Sequence, residues 1–388
     1  MHIGAFVRAL GPALGGLTLC VPAEGEGEDE LAPAGLWPGV RVRRLPARGD
    51  NLLERVIDFR RALLDGWGAR KRVVHVRSIW EGYPIARRKR ALCERFVYEV
   101  NGLPSIELKY HHAAVAEDRE LLAKLRHQEQ VCLQAADRVL TPSAVTARHL
   151  LRRGVPAARL RVIQNGVDPE TFAWRAPRAW GNEGPTLLYA GTLAPWQGLH
   201  VGLEAFARWR RERPGRLIVA GPVRGRQRAD LERRMRRLRI EGEVEYEAPV
   251  AQLDLAALYH RAHVALAPLP PNDRNVNQGC SPLKVIEAMA AGTPVLASNL
   301  AVVRELARRD VEATLVRAGS ARSLVHGLLR LEEQPEQREQ RARAARVRVE
   351  RRLNWRRAQR ELLAVYAELG LCSSSKSAAM RARSDAGE

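Results

Sequence analysis

Long apolar runs are missing from this 388-residue chain. Although 46% of its residues are hydrophobic, no run approaches the roughly 20 residues a membrane-spanning helix needs, so no transmembrane segment is expected. Cysteine is sparse: Cys20, Cys93, Cys132, Cys280 and Cys372 are scattered without C-x-x-C pairing. That pattern suits reduced thiols in cytoplasm and argues against a disulfide scaffold. There is no D-x-D pair of the kind that would hold a metal. Neighbouring His111 and His112 diverge by about 100° on a helix, and His260-x2-His263 has no carboxylate or cysteine partner nearby. Both pairs read as structural or solvated, and no metal site is expected. A Ser–His–Asp or paired-carboxylate constellation is also lacking, so no side chain reads as a nucleophile.

Lysine is scarce too, six residues against 58 arginines, yet the net charge is +20. Arginine that dominant fits a GC-rich coding sequence as well as selection for a polyanion. No zinc-finger, RNP or helix-turn-helix signature accompanies it, so nucleic acid is not an expected partner. Charge alone supports only weak attraction to an anionic membrane surface. Arg8 interrupts the apolar start, and Met1-His2 lacks a basic lead, which argues against a signal peptide. The expected location is the cytoplasm, peripheral at the inner membrane face.

The chain is long enough for two domains with substantial cores. Ile3, Phe6, Val7 and Leu10 predict an amphipathic helix almost from the first residue. Leu17–Val21 and Val40–Val42 read as strands around an acidic loop, Glu24 to Glu30. A doubly wound domain ordinarily opens with a strand and a glycine-rich turn; their absence means either that the chain starts late, the reading we favour, or that it has dispensed with the first strand. Val73–Val76 and Phe96–Val100 are short buried strands. Ser78, Glu81 and Asn101 follow strand ends, where ligands of open α/β sheets gather; turn chemistry explains Ser78 and Glu81 better. Arg161–Ile163 closes the first half, and residues 169–184, rich in proline and glycine, read as a linker. The alternation restarts with Leu187–Ala190, a turn at Gly191-Thr192-Leu193, and Gln197-Gly198 before a helix to Trp209. Further strands fall at Leu217–Ala220, Val244–Tyr246 and His263–Ala267. Arg224 and Arg226 read as solvated. A last amphipathic helix, Trp355 to Leu369, buries Trp355, Leu362, Leu363 and Tyr366.

One stretch organises the rest: Arg274 to Ser298, RNVNQGCSPLKVIEAMAAGTPVLAS. Ser281 is a good N-cap and Pro282 suits the first helical position. Leu283, Ile286, Glu287 and Ala290 follow at helical spacing, Gly292 ends the helix, and Thr293–Ala297 reads as a buried strand. A helix start offers unpaired N–H groups and the positive end of the macrodipole, which attract phosphate. Lys284 adds a full charge in the first turn. Glu287, one turn on, could accept hydrogen bonds from the vicinal hydroxyls of a ribose. Phosphate beside ribose describes a nucleoside diphosphate.

This segment resembles the signature of family 4 (group 1) retaining glycosyltransferases of the GT-B fold, whose motif is E-x7-E. Glu287 matches the second glutamate, and Gly279 stands at the place of the first. The local form Arg274-Asn275 … Gln278-Gly279-Cys280-Ser281-Pro282-Leu283-Lys284 is similar to a bacterial subgroup lacking that first glutamate. Asn165-Gly166-Val167-Asp168 resembles the family's NGVD junction. The likeness runs, with falling specificity, from Val73 to Tyr366. It implies two doubly wound Rossmann-like α/β domains facing a cleft. Residues 1–170 would form the acceptor side, its first strand missing, and 185–352 the nucleotide-sugar side. A crossover helix, 353–371, and a disordered tail, 372–388, would follow.

By the same resemblance the chain moves a sugar from a nucleoside diphosphate sugar to a glycan, glycolipid or metabolite, with retention and without metal or cofactor. The donor would meet Gly191, Thr192, Gln197, Gly198, Arg274, Asn275, Gln278, Gly279, Cys280, Ser281, Pro282, Leu283, Lys284 and Glu287. Asn275 and Gln278 would be polar groups near the sugar. Asn101 would touch the transferred sugar, and Asn101, Lys284 and Glu287 are the catalytic candidates. The family's usual arginine and lysine are replaced by Thr192 and Gln197, so leaving-group charge falls to Lys284, Arg274 and the helix start. The alternatives are a catalytically silent homologue serving as a scaffold, and a polyanion-binding protein.

Overall fold

The computed structural model describes residues 2–23, 37–223, 227–248 and 251–372. The acidic stretch 24–30, Arg224, Arg226 and the tail beyond Cys372 lie outside them. Its strands are β1 Leu17–Ala23, β2 Val40–Pro46, β3 Lys71–Val76, β4 Cys93–Glu99, β5 Arg138–Thr141, β6 Leu160–Val162, β7 Thr186–Ala190, β8 Arg216–Ala220, β9 Val244–Glu247, β10 Val264–Ala267, β11 Val295–Ser298 and β12 Thr314–Val316. Every paired neighbour runs parallel.

The second half forms one six-stranded sheet in the order β12-β11-β10-β7-β8-β9. Its apolar runs are buried on both faces, as parallel sheets between helix layers require. Leu188, Ala190, Ile218 and Ala265 pack on the helices Gln252–Arg261, Leu283–Ala291 and Pro335–Arg352. Leu187, Tyr189, Leu217 and Val264 face the helices Leu199–Arg210 and Ala321–Glu333. Strand order reverses between β7 and β10, which opens a crevice outside their carboxyl ends.

The first half has a four-stranded sheet, β3-β4-β5-β6, and a separate pair, β1-β2. Both belong to one layer. Phe6, Leu10, Leu17, Val73 and Val97 share a core on one side, while Leu45, Phe59, Val76, Ile79 and Phe96 share one on the other. Among the described residues no strand joins β1 to β3. The N-terminal stripe behaves as its spacing predicts: in the helix His2–Ala13, Phe6, Val7 and Leu10 are buried.

The chain crosses between the halves twice at nearly one point. Val167 N–H donates to the Leu353 carbonyl at 3.0 Å, and Trp355 N–H to the Val167 carbonyl at 3.3 Å. A Cβ on Gly166 would overlap the Asn354–Trp355 backbone, so only glycine lets these strands of chain touch. Beyond it the helix Trp355–Glu368 returns to the first domain. It packs Trp355, Leu362 and Tyr366 against Leu140 and Ile163. The Tyr366 hydroxyl lies 3.0 Å from His75 Nδ1.

Candidate functional site

At the crevice, two glycine turns pack on each other. Gly191 N–H donates to the Ala220 carbonyl at 2.8 Å, and a Cβ on Gly221 would collide with the Gly191 carbonyl. Gly191 sits at φ +139°, and a Cβ there would come within 3.0 Å of Lys284 Nζ. The turn after β7 thus opens onto the start of the helix Leu283–Ala291.

That helix begins at Leu283, and two details of its reading are corrected. Pro282, at φ −71° and ψ 103°, is itself the extended cap residue and supplies no side-chain cap. Ser281 lies one residue too far out to cap, and its hydroxyl is buried without a partner among the described residues. The amides of Leu283 and Lys284 find no acceptor among the described residues. At the other end Gly292 is left-handed, φ 84°, as expected. The strand starts at Val295 rather than Thr293, because Thr293 closes the helix. Its N–H reaches the Ala288 carbonyl, and its hydroxyl donates to the Tyr259 carbonyl at 2.8 Å.

Lys284 Nζ lies 3.8 Å from the centre of the Tyr189 ring and has no hydrogen-bond partner among the described residues. Burial pulls its pKa down to about 7. Glu287 is buried as well, only 5% exposed, and its Oε2 accepts from the Tyr259 hydroxyl at 2.9 Å. Burial raises its pKa to about 7, against the opposing pull of that hydrogen bond and of Lys284. An enclosed cation without a partner and a carboxylate with one donor are costly to bury unless a ligand completes them.

The remaining donor-side candidates form the frame around this spot. Thr192 is exposed, and its carbonyl is held by the Tyr189 hydroxyl at 2.7 Å. Gly198, φ 78°, starts the helix Leu199–Arg210, and Gln197 Oε1 is buried without a partner among the described residues. Residues Arg274–Gln278 make a single π-helical turn, a geometry that concentrates at functional sites. Asn275 and Gln278, expected as polar groups near the sugar, belong to this turn. Both are wholly buried. Asn275 Nδ2 donates to the Trp196 and Pro270 carbonyls at 2.8 and 2.9 Å, and Gln278 is held by Leu103 N–H and Glu107. Arg274 pairs with Glu107 at 2.8 Å and lies over the Trp196 ring. Cys280 is buried beneath them.

Gly279 explains the missing glutamate. Its φ is +89°, and a Cβ would stand 2.7 Å from both N and Oγ1 of Thr146 in the first domain. Gly279→Ala is therefore expected to destabilise by about 2 kcal/mol or more, from left-handed strain and the collision together. A thermal midpoint equal to that of wild type would refute this.

Across the cleft, Asn101 Nδ2 donates to Glu99 Oε1 at 2.5 Å, which leaves its carbonyl oxygen available. Burial pushes the Glu99 pKa up, but the hydrogen bond from His75 and the charges of His2 and Arg77 outweigh it and hold the acid well below the carboxylate range. Ser78 and Glu81 form a capping box at the helix Ile79–Arg87, so the turn reading of both stands. His263 Nδ1 accepts from Thr186 N–H, and His260 Nε2 contacts the Ala173 carbonyl at 2.7 Å. Among the described residues no group of three or more His, Cys, Asp or Glu is placed to hold a metal.

Sequence reasoning missed Tyr259, Glu107 and Glu305. Glu305 accepts from the Ala144 and Val145 amides at 3.0 and 2.8 Å, tying the second domain to a helix start of the first. All three pair with residues more than twenty positions away. Only Tyr259 carried a local signal, as a phenol on the face of a helix that buries Ala256.

Residues 170–348 match the family described as glycosyl transferases group 1, and residues 3–166 the glycosyl transferase 4-like domain. The glycogen synthase of Mycobacterium tuberculosis is 29% identical over 242 residues, 61% of this chain and 56% of that protein. A D-inositol 3-phosphate glycosyltransferase of Thermomonospora curvata is 31% identical over 281 residues, 66% and 63%. The matches thus span a little over half the length of these curated relatives. Sucrose-phosphate synthase from Thermosynechococcus elongatus superposes with a TM-score of 0.79 at 21% identity, covering 95% of this chain and 92% of that one. Anabaena HepE in complex with UDP gives 0.71 at 15%, covering 94% and 95%. These structures share the fold, GT-B, with its two Rossmann-like domains.

Proposed function

We propose, from the premise that this chain belongs to the glycosyl transferases group 1 family, that it transfers a sugar from a nucleoside diphosphate sugar to an acceptor with retention at the anomeric carbon. The observation that carries the reading is Lys284. It is a buried ammonium group without a hydrogen-bond partner among the described residues, set beside two open helix amides and the Gly191 turn. A leaving diphosphate would meet preorganised donors there, the arrangement that stabilises developing negative charge best. Glu287, steadied by Tyr259, would accept the ribose hydroxyls, and Asn101 would approach the transferred sugar from the other domain. The chemistry needs no protein nucleophile, metal or cofactor. Anabaena HepE, a fold neighbour, is seen with UDP and with UDP-glucose, which supports a nucleotide-sugar donor. The acceptor is proposed to be a sugar, a lipid-linked glycan or a small molecule. The charge of +20 supports weak association with anionic membrane, to be read by cosedimentation with phosphatidylglycerol vesicles.

The test is a thermal-shift panel of UDP-, GDP- and ADP-sugars, followed by nucleotide release from whichever donor stabilises the protein. Binding with release is the expected result. Binding without release, with or without acceptor, would favour a silent homologue. Failure of every donor to bind would overturn the reading.

A further inference from the structure

Position 279 admits no side chain, because its backbone is left-handed and pressed on Thr146. A carboxylate from the opposite domain reaches this glycine's loop. Glu107 stands on the helix Pro104–His111, just beyond the carboxyl end of β4. Its Oε1 accepts from Gln278 Nε2 and from Arg274 Nε, both at 2.8 Å. Gln278 is the residue before Gly279. A Cβ on Gly102 would collide with both carboxylate oxygens, so Glu107 lies against the backbone that immediately follows Asn101.

Three features set Glu107 apart from a plain interdomain tie. The donors converge on one oxygen, Oε1, and no described residue donates to Oε2. The side chain is 23% exposed, whereas Arg274, its ion-pair partner, is 13% exposed. The neighbouring Lys109 and Tyr110 already link the same helix to Asp273 of the second domain, Lys109 at 2.5 Å. The tie exists without Glu107. A carboxylate oxygen left open at the junction of the two domains, beside Asn101 and the donor loop, suits a group of sugar hydroxyls, which are hydrogen-bond donors.

From this geometry we infer that Glu107 is a specificity-determining residue: its Oε2 accepts a hydrogen bond from a hydroxyl of the transferred sugar, a carboxylate supplied by the first domain where Gly279 can supply none. The inference rests on the glycosyl-transfer reading above. Arg274 and Gln278 are then positioning residues, which fix Oε1 and aim Oε2 into the cleft.

The experiment compares Glu107→Gln with wild type on the donor chosen by the panel, UDP-glucose first, and on UDP alone. Glutamine keeps an oxygen for Arg274 and Gln278 but drops the charge opposite Arg274, so a merely structural role predicts a lower thermal midpoint and equal losses on UDP and on the nucleotide sugar. The expected result is a fall of at least tenfold in kcat/KM for the nucleotide sugar, with the affinity for UDP unchanged. A kcat/KM within twofold of wild type overturns the assignment, as does an equal loss of affinity for UDP. Should the variant fold poorly, the wild type decides with monodeoxy donor sugars. One position should lose at least tenfold, and a series turned over evenly overturns the assignment. A wild type that binds nucleotide but releases none from any donor sinks the transfer reading itself, and this inference with it.

Discussion

Lys284→Met is expected to lower kcat/KM by about 100-fold or more, the scale of losing one preorganised donor at a developing anion, while the protein melts at a higher temperature. The two effects share one cause. The ammonium group is buried over Tyr189 with no hydrogen bond from the described residues, so it weakens the empty protein and is satisfied by an anion. Stability should follow pH accordingly. The folded-state pKa, about 7, lies below the ordinary 10.5, so between those values the unfolded chain binds more protons. Wild-type stability therefore gains a rising component from pH 7 to about 10 that the methionine variant lacks. Ligand binding runs the other way. A bound diphosphate raises the Lys284 pKa, so binding takes up a proton. UDP affinity should fall above pH 7, at most tenfold per unit, in wild type but not in the variant. Calorimetry at pH 7 and 9 reads this directly, and equal slopes in both proteins would remove the phosphate role.

Glu287→Gln carries the second large effect. The amide retains an acceptor for the Tyr259 hydroxyl, 2.9 Å away in the wild type, and so preserves packing. It loses the charge that strengthens bonds from ribose hydroxyls by about 1.5–3 kcal/mol. UDP should bind roughly ten- to a hundred-fold more weakly, while a 2′,3′-dideoxy analogue of UDP should bind both proteins alike. Equal losses on the two ligands would place Glu287 in the framework rather than on the ribose. The pH profile adds a control. Burial raises the Glu287 pKa from 4.5 to about 7, so its contribution to stability is full below 4.5 and lost as pH rises through 7. The glutamine variant should lack that decline.

Much of this architecture could be read along the chain because its determinants are local. Short apolar runs bounded by glycine, such as Leu187–Ala190 before Gly191, read as fully buried strands, which the parallel sheet covers on both faces. Gly292 fixes a helix end through its own backbone, and the stripe of Ile3, Phe6, Val7 and Leu10 fixes a helix by spacing. The Ser281-Pro282 start misled because two caps fit the same letters, and ψ of the proline, 103°, decided between them. Asn275 was legible as polar and well placed, but its acceptors, the carbonyls of Trp196 and Pro270, are set by how two loops meet. Glu107 was beyond reach for the same reason. Nothing in the sequence around it says that Gly102 and Gln278 will lie on either side.

The double crossing at Val167 and Asn354 has a mechanical consequence. Two backbone hydrogen bonds and a glycine without room for a Cβ clasp both connections at one spot, so a rearrangement of the halves that keeps this clasp must turn about it. A swing about that axle would part the surfaces in order of their distance from it. The ties that cross between the halves, from Ala144 and Val145 to Glu305, from Gln278 and Arg274 to Glu107, and from Lys109 and Tyr110 to Asp273, are then what such a swing would have to break.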